Sequence, residues 1–305
     1  MSEGFIVFQR ILVLLAMMLL GFLVGKKRWV SDSGYRQISG LVVNIFNPML
    51  VITGVLSDTL KVDSGMIFEN LRGVALYFAV MILLGMLGSR MLFPADRERC
   101  QYQLMYVFSN VGFMAIPLVS SVYGEECVFY VSFYILIYNI LLYTYGIHLI
   151  SGGKKEKTDF KKLMNPGVAA CLVSVVVFAG NIPAAESVKS FTGYMGNAAI
   201  PMSMMLIGAS IAQANLKELL GEAKIYAFLA IKLLIIPMTA ALIIRNFALP
   251  AELAGIFVFM LGMPVGSIVV PLAAEYGADE TCCTRGTVLS TLFSIVTIPL
   301  VSLFL

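Results

Sequence analysis

The sequence predicts an all-α integral membrane protein of ten transmembrane helices arranged as two inverted five-helix repeats. Three observations carry that expectation. Hydrophobic residues make up 59% of the 305-residue chain and charged ones only 13%, too apolar a balance for a water-soluble domain of this length. Ten apolar stretches come close to the ~20 residues that a helix needs to cross about 30 Å of hydrocarbon. Finally, Tyr106 to Gly124 and Phe259 to Gly277 share their punctuation at an offset of 154 residues, with Val111 on Val265, Gly112 on Gly266, Pro117 on Pro271 and Leu118 on Leu272.

Span 1 (about 5–24) is too long for a signal-peptide core and is followed, not preceded, by Lys26, Lys27 and Arg28. It is expected to be retained, with the N-terminus outside. Span 2 (36–57) carries Asn44-x-x-x-Pro48-Met49, and span 3 covers 67–92. Span 4 (102–122) is apolar yet holds Asn110, Gly112 and Pro117 in its middle; span 5 covers 127–150. A basic linker, 151–164, opens SGGKKEKTDFKKL and separates a first repeat, 1–150, from a second, 165–305. Span 6 covers 166–183, and span 7 (188–212) repeats the span 2 pattern as Asn197-x-x-x-Pro201-Met202 at an offset of 153. Span 8 (224–246) bears Lys232, span 9 (252–274) holds Pro264, Gly266 and Pro271, and span 10 covers 283–304.

The basic residues sort by side. Lys26, Lys27, Arg28, Arg36, Arg90, Arg97, Arg99, Lys154, Lys155, Lys157, Lys161, Lys162, Lys217, Lys224 and Arg285 follow odd-numbered spans; Arg10, Lys61, Arg72, Lys189 and Arg245 lie on the other side. Fifteen against five places the linker in the cytoplasm and both termini outside, in a multi-pass protein of the inner or plasma membrane. Five spans per half is an odd number, so the second copy enters the bilayer from the opposite face and the repeat is inverted.

An interrupted helix at bilayer depth leaves backbone groups that hydrocarbon does not tolerate unless they line a cavity or site. A proline withholds its own N–H and frees the carbonyl four residues earlier, here those of Asn44, Asn197, Phe113 and Ser267, with a further break at Pro264. If spans 4 and 9 cross at their breaks, half-helix N-termini present amides and positive dipole ends suited to an anion. The candidate binding residues are therefore Asn110, Val111, Gly112, Pro117, Pro264, Val265, Gly266 and Pro271, with Asn44, Asn47 and Asn197 as neutral donors and acceptors. The competing reading makes each proline a simple kink and each asparagine interhelical glue. Lys232, roughly 12 Å inside its span at helical rise, either attracts the anion, replaces a coupling cation, or snorkels to the interface. The Met202, Met204, Met205, Gly208 and Ala209 face of span 7 is either a smooth sliding surface or ordinary helix packing.

No Asp or Glu falls near the centre of a span. Glu275, Glu125, Glu126, Asp279 and Glu280 lie at ends or in loops, and the single histidine, His148, sits near the end of span 5. A carboxylate proton relay or sodium cage is thus not visible. No nucleotide-binding loop, metal cluster or nucleophile–base pair occurs, so no cofactor, no metal and no enzyme activity are expected. The five cysteines lack metal-ligand spacing and read as packing residues. Basic residues do not cluster as a nucleic-acid surface requires.

The pieces SNVGFMAIPLVSSVYG (109–124), NAAIPMSMMLIGASIA (197–212), IKLLIIPM (231–238), GMPVGSIVVPLAAEYG (262–277) and STLFSIVTIPL (290–300) resemble the auxin efflux carrier family. Its bacterial members include malate and malonate permease-like proteins, and its plant members the PIN-type auxin carriers. The resemblance implies a fold like that of bile acid:sodium symporters and sodium–proton antiporters, with spans 4 and 9 broken and crossing. It also implies a scaffold of spans 1, 2, 6 and 7, a transport domain of spans 3–5 and 8–10, and a homodimer through the scaffold. Asn110, Pro117 and Pro271 fall on crossover positions and Lys232 on a basic position of span 8. Val265 departs from the family pattern, where a polar residue often follows the first proline of span 9. The function expected is an elevator-type secondary carrier of a small organic anion, a carboxylate or auxin-like acid, in a lipid bilayer. A sodium-coupled organic anion symporter of the bile-acid type and a non-transporting membrane sensor are the alternatives.

Overall fold

The computed structural model describes residues 3–57, 64–92, 96–151, 164–213, 223–247, 249–278 and 280–305. Linker residues 152–163, together with Lys61, Lys217 and Asp279 above, lie outside them. In chain order the helices are α1 (Glu3–Lys26), α2 (Ser33–Leu56), α3 (Ser64–Leu92), α4 (Asp96–Val107), α5 (Val111–Tyr123), α6 (Glu125–Ile150), α7 (Pro166–Ala179), α8 (Glu186–Gln213), α9 (Ala223–Ile244), α10 (Ala251–Gly262), α11 (Val269–Glu275) and α12 (Glu280–Ser302). Among the described residues no β-strand occurs, only one isolated bridge. Seven helices there are long and apolar enough to cross a bilayer, and α5, α7 and α10 are shorter apolar ones. This is a multi-pass integral membrane protein: most of its described residues lie in helices, and many large apolar side chains, among them Leu, Val, Ile and Phe, are exposed on its surface.

Local chemistry sets several boundaries. The Ser31 hydroxyl accepts the Gly34 amide at 3.1 Å to start α2. The Asn165 carboxamide accepts the Val168 amide at 3.0 Å ahead of Pro166 to start α7. Wide, π-helical turns precede three prolines at the same distance: Val42–Phe46 before Pro48, Val111–Ala115 before Pro117 and Ile231–Ile235 before Pro237. A proline ring collides with the carbonyl four residues back, and widening the turn relieves the collision. The Asn47 amide accordingly reaches five residues back to Val42, and the Ile236 amide to Ile231. The expectation of a kink that frees the carbonyl of Asn44 or Phe113 did not include this widening. In α8 and α11 there is no wide turn; α8 is interrupted by a turn at Ala198 and Pro201 lies in the first turn after it, as Pro271 does after Ile268, where a missing N–H goes unnoticed.

The chain forms two compact units. The first comprises residues 1–71, 112–137 and 160–213. Its α1 and α8 approach so closely that a Cβ on Gly25 would lie 2.9 Å from Ala209 Cα, while Gly21 faces Met205 and Gly208 faces Met18. The face of Met205, Gly208 and Ala209 is therefore packed on α1 within this unit, and the sliding role considered for it gives way to helix packing. Gly196 of α8 abuts Leu50 of α2, where a Cβ would come within 2.8 Å of the Leu50 Cα, and the Ser174 hydroxyl of α7 donates to the Val51 carbonyl at 3.3 Å. The second unit comprises residues 72–111, 138–159 and 214–305, with α4, α9, α10, α11 and α12 entirely inside it.

Candidate functional site at the paired helix breaks

Within the second unit, two interruptions meet. Phe108–Asn110 follow α4, Met263–Ile268 separate α10 from α11, and Ser109 and Val265 form an antiparallel bridge. The Asn110 amide donates to the Pro264 carbonyl and the Gly266 amide to the Phe108 carbonyl, both at 2.8 Å. Pro264 suits its place because it has no N–H and contributes only a carbonyl to the pair. Gly266 suits its place because a Cβ there would lie 2.9 Å from the Ser109 carbonyl oxygen and 3.0 Å from the Tyr138 hydroxyl. Two segments that break where they cross thus satisfy each other's backbone, as an apolar interior demands.

That satisfaction changes which groups are left for a ligand. Besides the two bonds between the segments, the Val111 amide donates to the Ser109 carbonyl at 2.9 Å, and the Val265 amide to the Ser290 hydroxyl at 2.9 Å. The amides of Asn110, Val111, Val265 and Gly266 are all taken up by the protein itself. These four amides pin the crossing.

Lys232 lies at the heart of this unit. Its side chain is 0% exposed, so the snorkelling reading fails. Its ammonium donates to the Tyr106 carbonyl at 2.8 Å and to the Ser109 hydroxyl at 3.0 Å. Tyr106 belongs to the last turn of α4, whose carbonyls have no partners further along the helix and carry the negative end of its dipole. The Lys232 amino group therefore caps α4, from the wide turn Ile231–Ile235 of α9. Ser109 also receives the Tyr77 hydroxyl of α3 at 3.1 Å. Among the described residues no carboxylate pairs with Lys232, and the partners of its amino nitrogen are neutral dipoles.

The remaining candidates divide between the units. In the first, Asn47 is 5% exposed and its amide nitrogen donates to the Gly112 carbonyl at 2.9 Å, tying the wide turn of α2 to the start of α5. Its Oδ1 is buried without a hydrogen-bond partner. Asn44 is exposed and donates back along its own helix to the Gly40 carbonyl at 2.8 Å, and Asn197 is exposed as well. Pro117 is buried in the same unit, second in the α-helical turn that follows the wide one. In the second unit Asn110, Val111, Pro264, Val265 and Gly266 come together at the crossing, while Pro271 is exposed on α11.

Sequence reasoning missed Ser109, Tyr77, Tyr106, Ser290 and Pro237. Ser109 and Pro237 carried a signal, the one adjoining Asn110 and the other five residues after Lys232, as Pro48 stands four after Asn44. Tyr77, Tyr106 and Ser290 carried none, since a buried hydroxyl or carbonyl becomes significant only through what it faces.

A family model described as membrane transport protein matches residues 6–162 and 153–302. Two archaeal proteins named as uncharacterized transporters align over nearly their whole length. The one from Methanothermobacter thermautotrophicus is 22% identical over 97% of this chain and 98% of its own; the one from Methanocaldococcus jannaschii is 23% identical over 95% and 96%.

Proposed function

This chain belongs to the membrane transport protein family, and from that premise we propose that it is a secondary active carrier of a small organic anion, a carboxylate or auxin-like acid. One observation carries the choice of an anion: Lys232, fully buried, has a carbonyl and a hydroxyl for partners and, among the described residues, no carboxylate. A cation in a low-dielectric interior sets up a positive potential that neutral dipoles only partly offset. A negatively charged solute near the crossing of spans 4 and 9 lowers the energy of that arrangement, and a second cation raises it. The scarcity of carboxylates within the spans supports the same sign.

The finer picture is part of the proposal. Ten spans form two inverted five-helix repeats, with the linker in the cytoplasm and both termini outside the cell membrane. A transport domain of spans 3–5 and 8–10 moves against a scaffold of spans 1, 2, 6 and 7, through which two copies dimerise, and alternates access to a substrate bound near Asn110. Asn44, Asn47 and Asn197 remain candidates for neutral contacts, Asn47 foremost, because its buried Oδ1 still seeks a donor.

Counterflow in proteoliposomes with a panel of radiolabelled mono- and dicarboxylates tests the reading. Exchange of at least one anion, lost in Lys232→Met, is the expected result. Absence of exchange for every anion offered, in vesicles whose protein is folded, would favour a sensor.

A further inference from the structure

A second basic feature lies in the first unit, in the turn between α1 and α2. The helix α1 ends with the Trp29 amide bonded to the Val24 carbonyl at 3.2 Å and the Arg28 amide to the Gly25 carbonyl at 3.1 Å. This pair of bonds defines a helix end whose first residue past the cap is left-handed, a position that glycine or asparagine normally fills. Here it is Arg28, with φ +53°. The equivalent end of α7 shows the usual solution: Asn181, φ +45°, with the Asn181 amide on Phe178 and the Ile182 amide on Val177. Asparagine tolerates this conformation through its short polar side chain; arginine gains nothing comparable and is disfavoured there.

The strained arginine stands in a particular setting. Lys26, Lys27, Arg28 and Trp29 are all exposed, as is Arg36 in the second turn of α2. Trp29, the single tryptophan of the chain, is 71% exposed, and the Lys27 ammonium lies 5.2 Å from the centre of its ring. Between residues 26 and 36 these four cations meet one acidic residue, Asp32. An exposed indole beside a membrane helix belongs at headgroup depth, where its ring is buried and its N–H stays wet. At that depth the abundant anion is a phosphodiester, which a guanidinium binds through two parallel hydrogen bonds.

We propose that this turn is a docking site for the headgroup of an anionic phospholipid, with Arg28 on the phosphate, Lys26, Lys27 and Arg36 supplying charge, and Trp29 marking the depth. The cations are not there only to offset the α1 dipole, since that role needs no left-handed arginine and no exposed indole.

The test separates lipid binding from stability. Full-length protein is incubated in mixed micelles holding equal amounts of phosphatidylglycerol and phosphatidylcholine, and the retained lipid is counted by native mass spectrometry. The unmodified chain is expected to retain phosphatidylglycerol preferentially. Arg28→Gly is expected to lower that preference by roughly fivefold, the effect of one cation near a charged surface, while its melting temperature in lipid-free detergent stays the same or rises because glycine relieves the strained turn. Lys27→Gln, which leaves the turn untouched, is expected to lower the preference as well. Equal retention of the two lipids by the unmodified chain, or an unchanged preference in both variants, overturns the proposal. So does full competition by millimolar inorganic phosphate, which would assign the site to a free anion.

Discussion

Lys232 and Gly266 carry the site through opposite properties, one by its charge and the other by lacking a side chain. Lys232→Met removes the cation and leaves the Tyr106 carbonyl and the Ser109 hydroxyl without that donor. Ser109 keeps the Tyr77 hydroxyl, but the orphaned Tyr106 carbonyl costs about 1–3 kcal/mol, so the variant is expected to melt at a lower temperature and to lose anion counterflow by at least about tenfold. A Lys232→Met protein with unchanged counterflow would detach the charge from transport. Gly266→Ala places a methyl group within 3.1 Å of both the Ser109 and Phe108 carbonyl oxygens. Neither backbone oxygen can swing aside as a flexible side chain does, so destabilisation of about 1–3 kcal/mol is expected, read by thermal melting in detergent, with transport lost alongside. Asn47→Ala removes one hydrogen bond to the Gly112 carbonyl and should cost about 1 kcal/mol. If Asn47 also contacts substrate, KM rises as well, and counterflow at several substrate concentrations separates the two effects.

At the level of the element, the informative pattern is the wide turn two residues ahead of Pro48, Pro117 and Pro237. Such turns concentrate at functional positions, and here the first ends beside Asn47, the second begins at the crossing, and the third carries Lys232. Pro237→Ala restores an N–H and removes the steric reason for the wide turn. Closing to regular α-helical register rotates Lys232 away from the Tyr106 carbonyl, since one residue more or less turns a helix by about 100°. Helical content by circular dichroism is expected to hold or rise while counterflow falls. A Pro237→Ala variant with full transport would show that the wide turn is mere accommodation of the ring. The fourth wide turn, Leu142–Gly146, has no proline after it, and nothing in its surroundings explains it.

For the molecule as a whole, hydropathy and charge bear on topology and coupling. Fifteen basic residues on one side against five on the other predict that Lys154→Cys reacts with a membrane-impermeant thiol reagent in inside-out vesicles and not in intact cells; this comparison needs a background in which the five native cysteines are shown to be silent. Reaction from outside would invert the topology. The absence of carboxylates near the span centres predicts that replacing sodium with choline leaves counterflow unchanged, and strict sodium dependence would revive a bile-acid-type symporter. Both expectations rest on the cost of ionised groups in hydrocarbon, which restricts where charge can stand far more severely than in a water-soluble protein.

Much of this architecture is written locally along the chain. Apolar runs set the membrane class, Asn110-x-Gly112 and Pro264-x-Gly266 mark where α4 and α10 stop, and Lys232 is conspicuous as a cation inside a span. These signals survive in one dimension because hydrocarbon acts on each segment separately. The partners did not follow: Lys232 meets the Tyr106 carbonyl 126 residues away, the Val265 amide meets Ser290, and Met205 and Gly208 prove to belong to the α1 contact. Only the tertiary structure decides such pairings, because hydrogen bonding and close packing depend on which atoms face each other across a few ångströms, and hydropathy carries no record of facing.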